Sequence, residues 1–125
     1  MNLHIQSTDR TPEIIFTADP LHLSIKGESY PEDVAAFYGS IIQTISELPQ
    51  NASSDLSVEL AMVYINSSSI KAFYRIFENL DNYRQAGHQV QVTWNTPEDD
   101  DIMQELGEDF KDRFPDLNFS IEQHG

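Results

Sequence analysis

The stretch VELAMVYINSSSIKAFYRIFENL, residues 58–80, changes from a strand pattern to a helix pattern across three consecutive serines. Its apolar run begins at Leu56 and ends at Ile65, as expected of a central strand that is covered on both faces. From Ile70 onward the apolar residues recur at helical spacing, and Gly87 stands where a helix C-terminal cap belongs. The stretch therefore predicts a buried strand that leads directly into a helix.

Ser67, Ser68 and Ser69 form a longer run of hydroxyls than one helix cap requires. A serine oxygen at the cap accepts a hydrogen bond from a backbone N–H group that the first turn leaves unpaired. On one interpretation, one serine caps the helix and the others fill a polar turn. On the other, one serine carries a phosphate, which the unpaired N–H groups and the positive end of the helix dipole would favour.

On the N-terminal side, residues 13–16 and 21–27 flank a short turn and predict a hairpin. Ser29 and Glu32 have the spacing of a capping box, which predicts that a helix begins here. Residues 49–55 are rich in helix-breaking residues and predict a loop. The apolar residues of the predicted first helix are Val34, Phe37, Tyr38, Ile41, Ile42, Ile45 and Leu48.

On the C-terminal side, residues 88–94 alternate between polar and apolar side chains and predict a strand. Thr96 is the predicted N-cap of a third helix and Pro97 its first residue, because acidic residues follow that suit the positive end of a helix dipole. Residues 117–121 predict a last strand. The apolar residues of the third helix are Ile102, Met103, Leu106 and Phe110.

The predicted order of elements is strand, strand, helix, strand, helix, strand, helix, strand. Such alternation predicts an α/β fold in which three helices pack against a mixed β-sheet with an N-terminal hairpin. The later strands are expected to be parallel, because right-handed crossovers join them. With 125 residues and no internal repeat or linker, we predict a single domain over residues 1–125.

The composition excludes several classes of function. The chain has no cysteine, which rules out disulfides, thiolate nucleophiles and cysteine-based zinc sites. Its formal charge of −14 repels nucleic acid and anionic lipid surfaces. The N-terminus lacks the pattern of a signal peptide, and no apolar run is long enough to span a bilayer. We therefore expect a cytoplasmic protein that binds neither nucleic acid nor membranes.

Catalytic and cofactor sites have little support in the sequence. His4, His22, His88 and His124 show no motif spacing, and no nucleophile elbow is present to activate a serine. The five glycines are isolated, so they form no phosphate-binding loop. The acidic residues 98–101 lack the spaced oxygen ligands and the glycine of a calcium loop, and they suit a solvated first helical turn better than a metal site. We expect no enzyme activity, no cofactor and no metal.

The segment KAFYRIF, residues 71–77, is apolar over more than one stripe of its helix. Aromatic residues in such helices usually belong to the core. The pattern leaves open which of Phe73, Tyr74 and Phe77 reach the surface, where a partner would contact them.

GESYPEDVAAFYGSII at residues 27–42 and YINSSSIKAFYRIFENL at residues 64–80, followed by VQVTWNTPEDD at residues 90–100, resemble the SiaC family of bacterial regulatory phosphoproteins. The resemblance extends over nearly the whole chain, from LHI at residues 3–5 to the last strand. Its most specific parts are GESYPE and NSSSIK, which occur in the same order and at a similar separation.

The resemblance implies a fold like that of STAS-type anti-sigma-factor antagonists. It also implies a partner-switching circuit with a histidine-kinase-like serine/threonine kinase and a PP2C-type phosphatase. In this family the unphosphorylated form binds and activates a diguanylate cyclase with a GGDEF domain. Cyclic di-GMP synthesis then promotes aggregation or biofilm growth.

The family's phosphoacceptor is the hydroxyl residue directly after the asparagine of a pattern such as N-T-S-S-I-K, and here that residue is Ser67. Serine replaces the usual threonine, which preserves the acceptor hydroxyl and leaves Ser68 and Ser69 as alternatives. The residues expected to contact partners are Asn66, Ser68, Ser69, Lys71 and Tyr74.

Three hypotheses follow. The first is a non-enzymatic switch whose serines are read by a kinase, a phosphatase and an effector. The second is a small-ligand-binding module of the same fold, in which the serines line a neutral polar pocket. The third is an enzyme that uses Ser67 or the carboxylates of residues 98–101. The resemblance favours the first.

Overall fold

A computed structural model describes residues 2–48 and 55–124, so residues 49–54 of the predicted loop lie outside the described part. Within these described residues, six strands and three helices follow one another. In chain order they are β1 (Leu3–Ile5), β2 (Glu13–Ala18), β3 (Leu21–Ser29), α1 (Val34–Ser46), β4 (Leu56–Ile65), α2 (Ser67–Gln85), β5 (Val90–Pro97), α3 (Asp101–Arg113) and β6 (Asn118–His124).

The six strands form one mixed sheet in the order β1-β2-β3-β4-β5-β6. β2 is antiparallel to both β1 and β3, and the strands from β3 to β6 are parallel to one another. The predicted hairpin, the parallel strands and the packing of three helices are confirmed. β1, which has three residues, is a strand that the element prediction did not include.

One face of the sheet packs against the helices and the other is open. Leu56, Val58, Leu60 and Met62 of β4 are buried, whereas the residues that alternate with them are half-buried or exposed. The expectation that β4 is covered on both faces is therefore wrong. Right-handed crossovers between successive neighbouring strands bring all three helices to the same face, which leaves the second face without cover.

An aromatic cluster holds α2 and α3 on the sheet. Phe110 of α3 contacts Phe77 of α2 and Trp94 of β5, with ring centroids 4.8 Å and 5.4 Å away. The indole N–H group of Trp94 donates a hydrogen bond to the carbonyl oxygen of Met103 at 2.9 Å. A Cβ atom at Gly107 would lie 2.5 Å from the Trp94 ring, so glycine is required for this close approach.

Two predicted helix starts are wrong. β3 continues to Ser29, and the N-cap of α1 is Asp33, whose carboxylate accepts from the N–H group of Ala36 at 3.0 Å. Thr96 and Pro97 belong to β5, and Asp100 caps α3. In both cases an aspartate lies closer to the helix and supplies the charged acceptor that the first turn needs.

The ends of the other elements agree with the prediction in most respects. β4 has the predicted bounds, and Gly87 follows α2 with a φ of 106°, where its N–H group donates to the carbonyl oxygen of Arg84. Phe73 and Phe77 are fully buried. Ile102, which was predicted for the apolar face of α3, is 74% exposed.

Candidate functional site

The serine turn, which we define as residues 66–69, joins the carboxyl end of β4 to α2. Asn66 is the N-cap of α2: its side-chain oxygen accepts from the N–H group of Ser69 at 2.9 Å. The interpretation in which a serine caps the helix is therefore wrong. Asparagine supplies the cap oxygen, and the three serines are the first three residues of the helix.

The three serines differ in exposure. Ser67 and Ser68 are exposed, and within the described residues no hydrogen bond occupies either side-chain hydroxyl. Ser69 is fully buried. An enzyme that modifies hydroxyl groups can therefore reach Ser67 and Ser68 directly, whereas it can reach Ser69 only if the start of α2 opens.

A buried chain of three hydroxyls lies behind the serine turn. Ser29 at the end of β3 donates to Ser69 at 2.8 Å, and Ser29 and Tyr38 are 2.5 Å apart. Because the single proton of Ser29 goes to Ser69, Tyr38 must be the donor in the second bond. Burial raises the pKa of Tyr38 to about 12, against the opposing effect of the hydrogen bond with Ser29, so the phenol stays protonated at neutral pH.

This chain connects the two most specific motifs of the sequence. Ser29 of GESYPE meets Ser69 of NSSSIK through side chains, and its carbonyl oxygen accepts from the backbone N–H group of Asn66 at 2.9 Å. Sequence reasoning missed the roles of Ser29 and Tyr38, because Ser29 was interpreted as a helix cap. The only indication in the sequence that these residues make contact was that GESYPE and NSSSIK occur together in one chain.

The surroundings of the serine turn carry positive charge, although the whole chain is strongly acidic. Residues 60–77 contain no carboxylate and two cations, Lys71 and Arg75. Both cations are exposed and form no ion pair with the described residues. They stand four and eight positions after Ser67, so they follow it along one side of α2.

The other predicted contact residue, Tyr74, lies farther along α2. Its ring is half-buried and packs against Phe110 and Phe114, with centroids 4.9 Å and 6.4 Å away. The structure therefore brings Asn66, Ser68 and Lys71 together at the surface near Ser67. Ser69 faces inward from the same turn, and Tyr74 lies between α2 and α3.

Within residues 2–48 and 55–124, no three or more histidine and carboxylate side chains group in a way that would hold a metal ion. The acidic segment at residues 98–101 instead supplies Asp100, which caps α3 through the N–H group of Met103. Across the same described ranges, every helix is too short or too polar to cross a bilayer.

Comparison with solved structures finds the same fold in a regulatory protein. Apo-SiaC from Pseudomonas aeruginosa is 31% identical, with a TM-score of 0.88 and 98% of each chain covered. SiaC from the same organism, in a complex in which it is the activator of the diguanylate cyclase SiaD, is 31% identical with a TM-score of 0.91. That alignment covers 98% of this chain and 99% of SiaC.

The fold and the serine turn thus define an α/β regulatory domain. The chain belongs to the SiaC family: a profile described as SiaC family regulatory phosphoprotein matches residues 5–124. A further relative, an uncharacterized protein of Pseudomonas aeruginosa, is 32% identical over 125 residues. That alignment covers 98% of this chain and 97% of the relative. The family and the fold expected from the sequence are confirmed.

Proposed function

We propose that this chain is a non-enzymatic partner-switching regulator. Reversible phosphorylation of Ser67 controls whether it binds and activates a diguanylate cyclase. The observation that carries this proposal is an exposed, unoccupied hydroxyl at a helix N-terminus that has no carboxylate of its own. Membership of the SiaC family supports it, as does the complex of the relative SiaC with the cyclase SiaD.

Ser67 is the favoured acceptor for two reasons. It directly follows Asn66, which is the acceptor position of the family pattern. It also precedes Lys71 by four residues, a spacing at which a phosphate and an ammonium group on a helix can interact. Ser68 is also exposed and is the alternative, while the burial of Ser69 argues against Ser69 as the acceptor.

Phosphorylation adds a charge of about −1.5 to −2 to the start of α2. The helix dipole and the free N–H groups of the first turn stabilise this charge, so the domain keeps its fold. Binding to an effector is weakened, because the phosphate charge must lose water when the complex forms. One modification therefore changes binding without changing the structure.

The circuit requires three partners. A histidine-kinase-like serine/threonine kinase adds the phosphate, a PP2C-type phosphatase removes it, and the diguanylate cyclase responds to the unphosphorylated form. No cofactor is needed, and the circuit operates in the bacterial cytoplasm, where cyclic di-GMP is made. The small-ligand alternative has less support, because Ser69 is buried and its hydroxyl oxygen accepts from Ser29 instead of lining an open pocket.

Mass spectrometry of the protein co-expressed with its kinase tests the acceptor. We expect phosphate on Ser67 in the wild type and its loss in Ser67→Ala, while the matched variant Ser68→Ala keeps the modification. Loss of phosphate in Ser68→Ala alone would assign the switch to Ser68. No phosphate on residues 67–69 of the wild type would refute the phosphoswitch.

Ser67→Asp tests the effect on the effector. The aspartate should keep the fold, because the helix dipole favours an anion at this position. We expect calorimetry to give at least a tenfold weaker affinity for the cyclase, about 1.4 kcal/mol. True phosphorylation should weaken binding further, because aspartate carries less charge. Ser67→Ala should bind the cyclase like the unmodified wild type, whether or not the kinase is present.

A further inference from the structure

A bulge in the pairing of β3 with β4 decides which residue of β3 lies beside the serine turn. Gly27 pairs with Met62, whereas Ser29 pairs with Ile65, so β4 has one more residue than β3 over this interval. Bulges of this kind often redirect side chains next to functional sites. Ser29 and Ile65 are both buried. Because Ile65 is the last residue of β4, the bulge brings Ser29 next to Asn66, where the serine turn begins.

Ser29 holds the serine turn at both of its ends. Its backbone carbonyl oxygen accepts from the N–H group of Asn66 at 2.9 Å, and its hydroxyl donates to Ser69 at 2.8 Å. Within the turn, the side-chain oxygen of Asn66 accepts from the N–H group of Ser69 at 2.9 Å. We call this closed set of hydrogen bonds among Ser29, Asn66 and Ser69 the serine clamp. Ser67 and Ser68 are the residues between the two clamped positions.

The serine clamp is anchored in the core. Ser29, Ser69 and Tyr38 are all fully buried. Tyr38 of α1 donates its hydroxyl proton to Ser29, and its ring packs edge-to-face against Phe73 of α2 with the centroids 5.5 Å apart. Any other arrangement of these buried hydroxyls would leave a polar group unpaired, which costs free energy. The turn is therefore held in one conformation before any partner arrives.

Phosphoryl transfer depends on the position of the acceptor hydroxyl. The reacting atoms must approach to about 3 to 3.5 Å, and a misplacement of about 1 Å can cost about a hundredfold in rate. A turn that is fixed at Asn66 and Ser69 leaves Ser67 little freedom beyond rotation of its own side chain. The same contacts keep the hydroxyl of Ser69 turned inward, so the three adjacent serines are not equivalent acceptors.

We propose that Ser29 is a positioning residue of the phosphoswitch: through the serine clamp it presents Ser67 to the kinase in a fixed orientation and keeps Ser69 out of reach. This inference rests on the proposed function and adds a residue that touches neither the kinase nor the phosphate, because Ser29 is fully buried. In the reaction, the Ser67 oxygen bonds to the γ-phosphorus of ATP as the bond to ADP breaks, and the hydroxyl proton passes to a base of the kinase.

Kinase kinetics test the role of Ser29. The full-length protein is phosphorylated by the kinase of the circuit with ATP, the protein concentration is varied, and mass spectrometry locates the phosphate. Ser29→Ala should lower kcat by about tenfold or more and leave KM nearly unchanged, because the kinase still binds but the acceptor is misplaced. Part of the phosphate should move from Ser67 to Ser68 and Ser69. A general loss of stability would not change which serine is modified.

Two further variants grade the effect. Tyr38→Phe should lower kcat less than Ser29→Ala does, because Ser29 keeps both of its bonds to the serine turn. Ser24→Ala is the matched control, because Ser24 is another buried serine of β3. It pairs with Glu59, near the other end of β4 from the serine turn. Its kcat should stay within about twofold of the wild type, with the phosphate still on Ser67.

Amide hydrogen exchange, measured by NMR, tests the serine clamp without a kinase. In Ser29→Ala the N–H group of Ser69 should exchange about five to ten times faster, because the loss of a buried hydrogen bond favours local opening of the first turn. The N–H group of Asn66 is the internal reference, since its acceptor is a backbone carbonyl that the variant keeps. Thermal melting checks the fold; if Ser29→Ala does not fold, Tyr38→Phe provides the same comparison with smaller shifts.

The outcomes separate the two proposals. If the wild type is phosphorylated on Ser67 and Ser29→Ala matches Ser24→Ala in kcat and in the modified residue, Ser29 is not a positioning residue and the phosphoswitch stands. Unchanged exchange at Ser69 together with phosphate confined to Ser67 would also overturn the clamp, even if the rate falls. If the wild type carries no phosphate on residues 67–69, the proposed function itself fails, together with the role assigned to Ser29.

Discussion

Helices α2 and α3 both begin where a parallel strand of the sheet ends, yet α3 begins among carboxylates and α2 begins among hydroxyls. Asp100 caps α3, Asp101 follows in its first turn, and two more acidic residues precede the cap. Asn66 caps α2, and its first turn has no acidic residue. The positive end of the dipole is thus matched by fixed negative charge in α3 and left unmatched in α2.

The difference shows where a reversible charge has an effect. One more anion beside four carboxylates would change little at α3. At α2, in a segment with two cations and no carboxylate between residues 60 and 77, a phosphate cancels most of the local positive charge. The two helices also differ in the polar contact that joins them to the sheet: the Trp94 indole donates to α3, whereas the Ser29 hydroxyl donates to Ser69 at the start of α2.

The largest expected effect concerns the attachment of α3. Gly107→Ala would place a methyl group 2.5 Å from the Trp94 ring and disturb its bond to Met103. We expect a loss of about 3 kcal/mol in the free energy of unfolding. Gly39→Ala in α1 is the control, because nothing lies within 4 Å of the added atom, and it should stabilise by up to about 1 kcal/mol. Denaturant titrations measure both; equal stability of the two variants would contradict the close packing of α3.

The attachment of α2 should be sensitive to alkali. The pKa of Tyr38 is about 12 in the folded state against 10.0 as its ordinary value, so the unfolded chain loses this proton first as the pH rises. The stabilisation is complete below pH 10 and should fall by about 2 to 3 kcal/mol between pH 10 and 12. Tyr38→Phe should lack this part of the loss and keep the smaller part from Tyr83, whose pKa burial also raises.

Urea titrations across this pH range provide the measurement. The attachment of α3 contains no group that titrates, so Gly107→Ala should shift the whole stability curve without changing its slope between pH 10 and 12. A slope that is the same in the wild type and in Tyr38→Phe would contradict the burial of the Tyr38 phenol in the folded protein.

The caps should matter about equally in the two helices. Asn66→Ala and Asp100→Ala each remove one side-chain acceptor from a first turn, and each should cost about 1 kcal/mol. Ser67→Ala is the control for α2 and should cost much less, because its hydroxyl caps nothing. Thermal melting decides this, and a larger loss for Ser67→Ala than for Asn66→Ala would show that Ser67 is structural.

The smallest effect on stability comes from exchanging the cap charges. Asn66→Asp should stabilise the protein and Asp100→Asn should destabilise it, each by about 0.3 to 1 kcal/mol. Their effects on binding should differ much more, since only Asn66→Asp adds charge beside Ser67. Calorimetry should therefore give weaker cyclase binding for Asn66→Asp and unchanged binding for Asp100→Asn. The reverse result would place the effector at α3.

The bounds of β4 were predicted correctly to the residue, because its run of apolar residues begins at Leu56 and ends at Ile65, just before Asn66. The prediction failed at the starts of α1 and α3, where Ser29 and Thr96 have cap chemistry but an aspartate nearer the helix is the cap. A capping pattern identifies residues that can cap a helix. It does not show which of two such residues is the cap in the folded protein. Ser29 is buried because its hydroxyl bonds to Tyr38 and Ser69. Ser69 is 40 residues away in sequence, so rules about local sequence could not predict this contact.

The candidate site was predicted in part for a similar reason. The serines, Asn66 and Lys71 are adjacent in sequence, so the pattern and the resemblance both indicated them. Val63 and Tyr64 are exposed because β4 has one extra residue where it pairs with β3. Hydropathy alone predicted that both residues belong to the core. Likewise, Ser69 is the serine that faces inward because it bonds to Ser29 of β3.

The most direct test of the central claim compares one protein in two states. Unmodified protein and protein phosphorylated by its kinase at Ser67, verified by mass spectrometry, are titrated into the diguanylate cyclase by calorimetry, with circular dichroism to check the fold. We predict identical spectra and at least tenfold weaker binding for the phosphorylated state, about 1.4 kcal/mol or more. Equal affinities in the two states would contradict the account, because a phosphate at the start of α2 would then have no effect on binding to the cyclase.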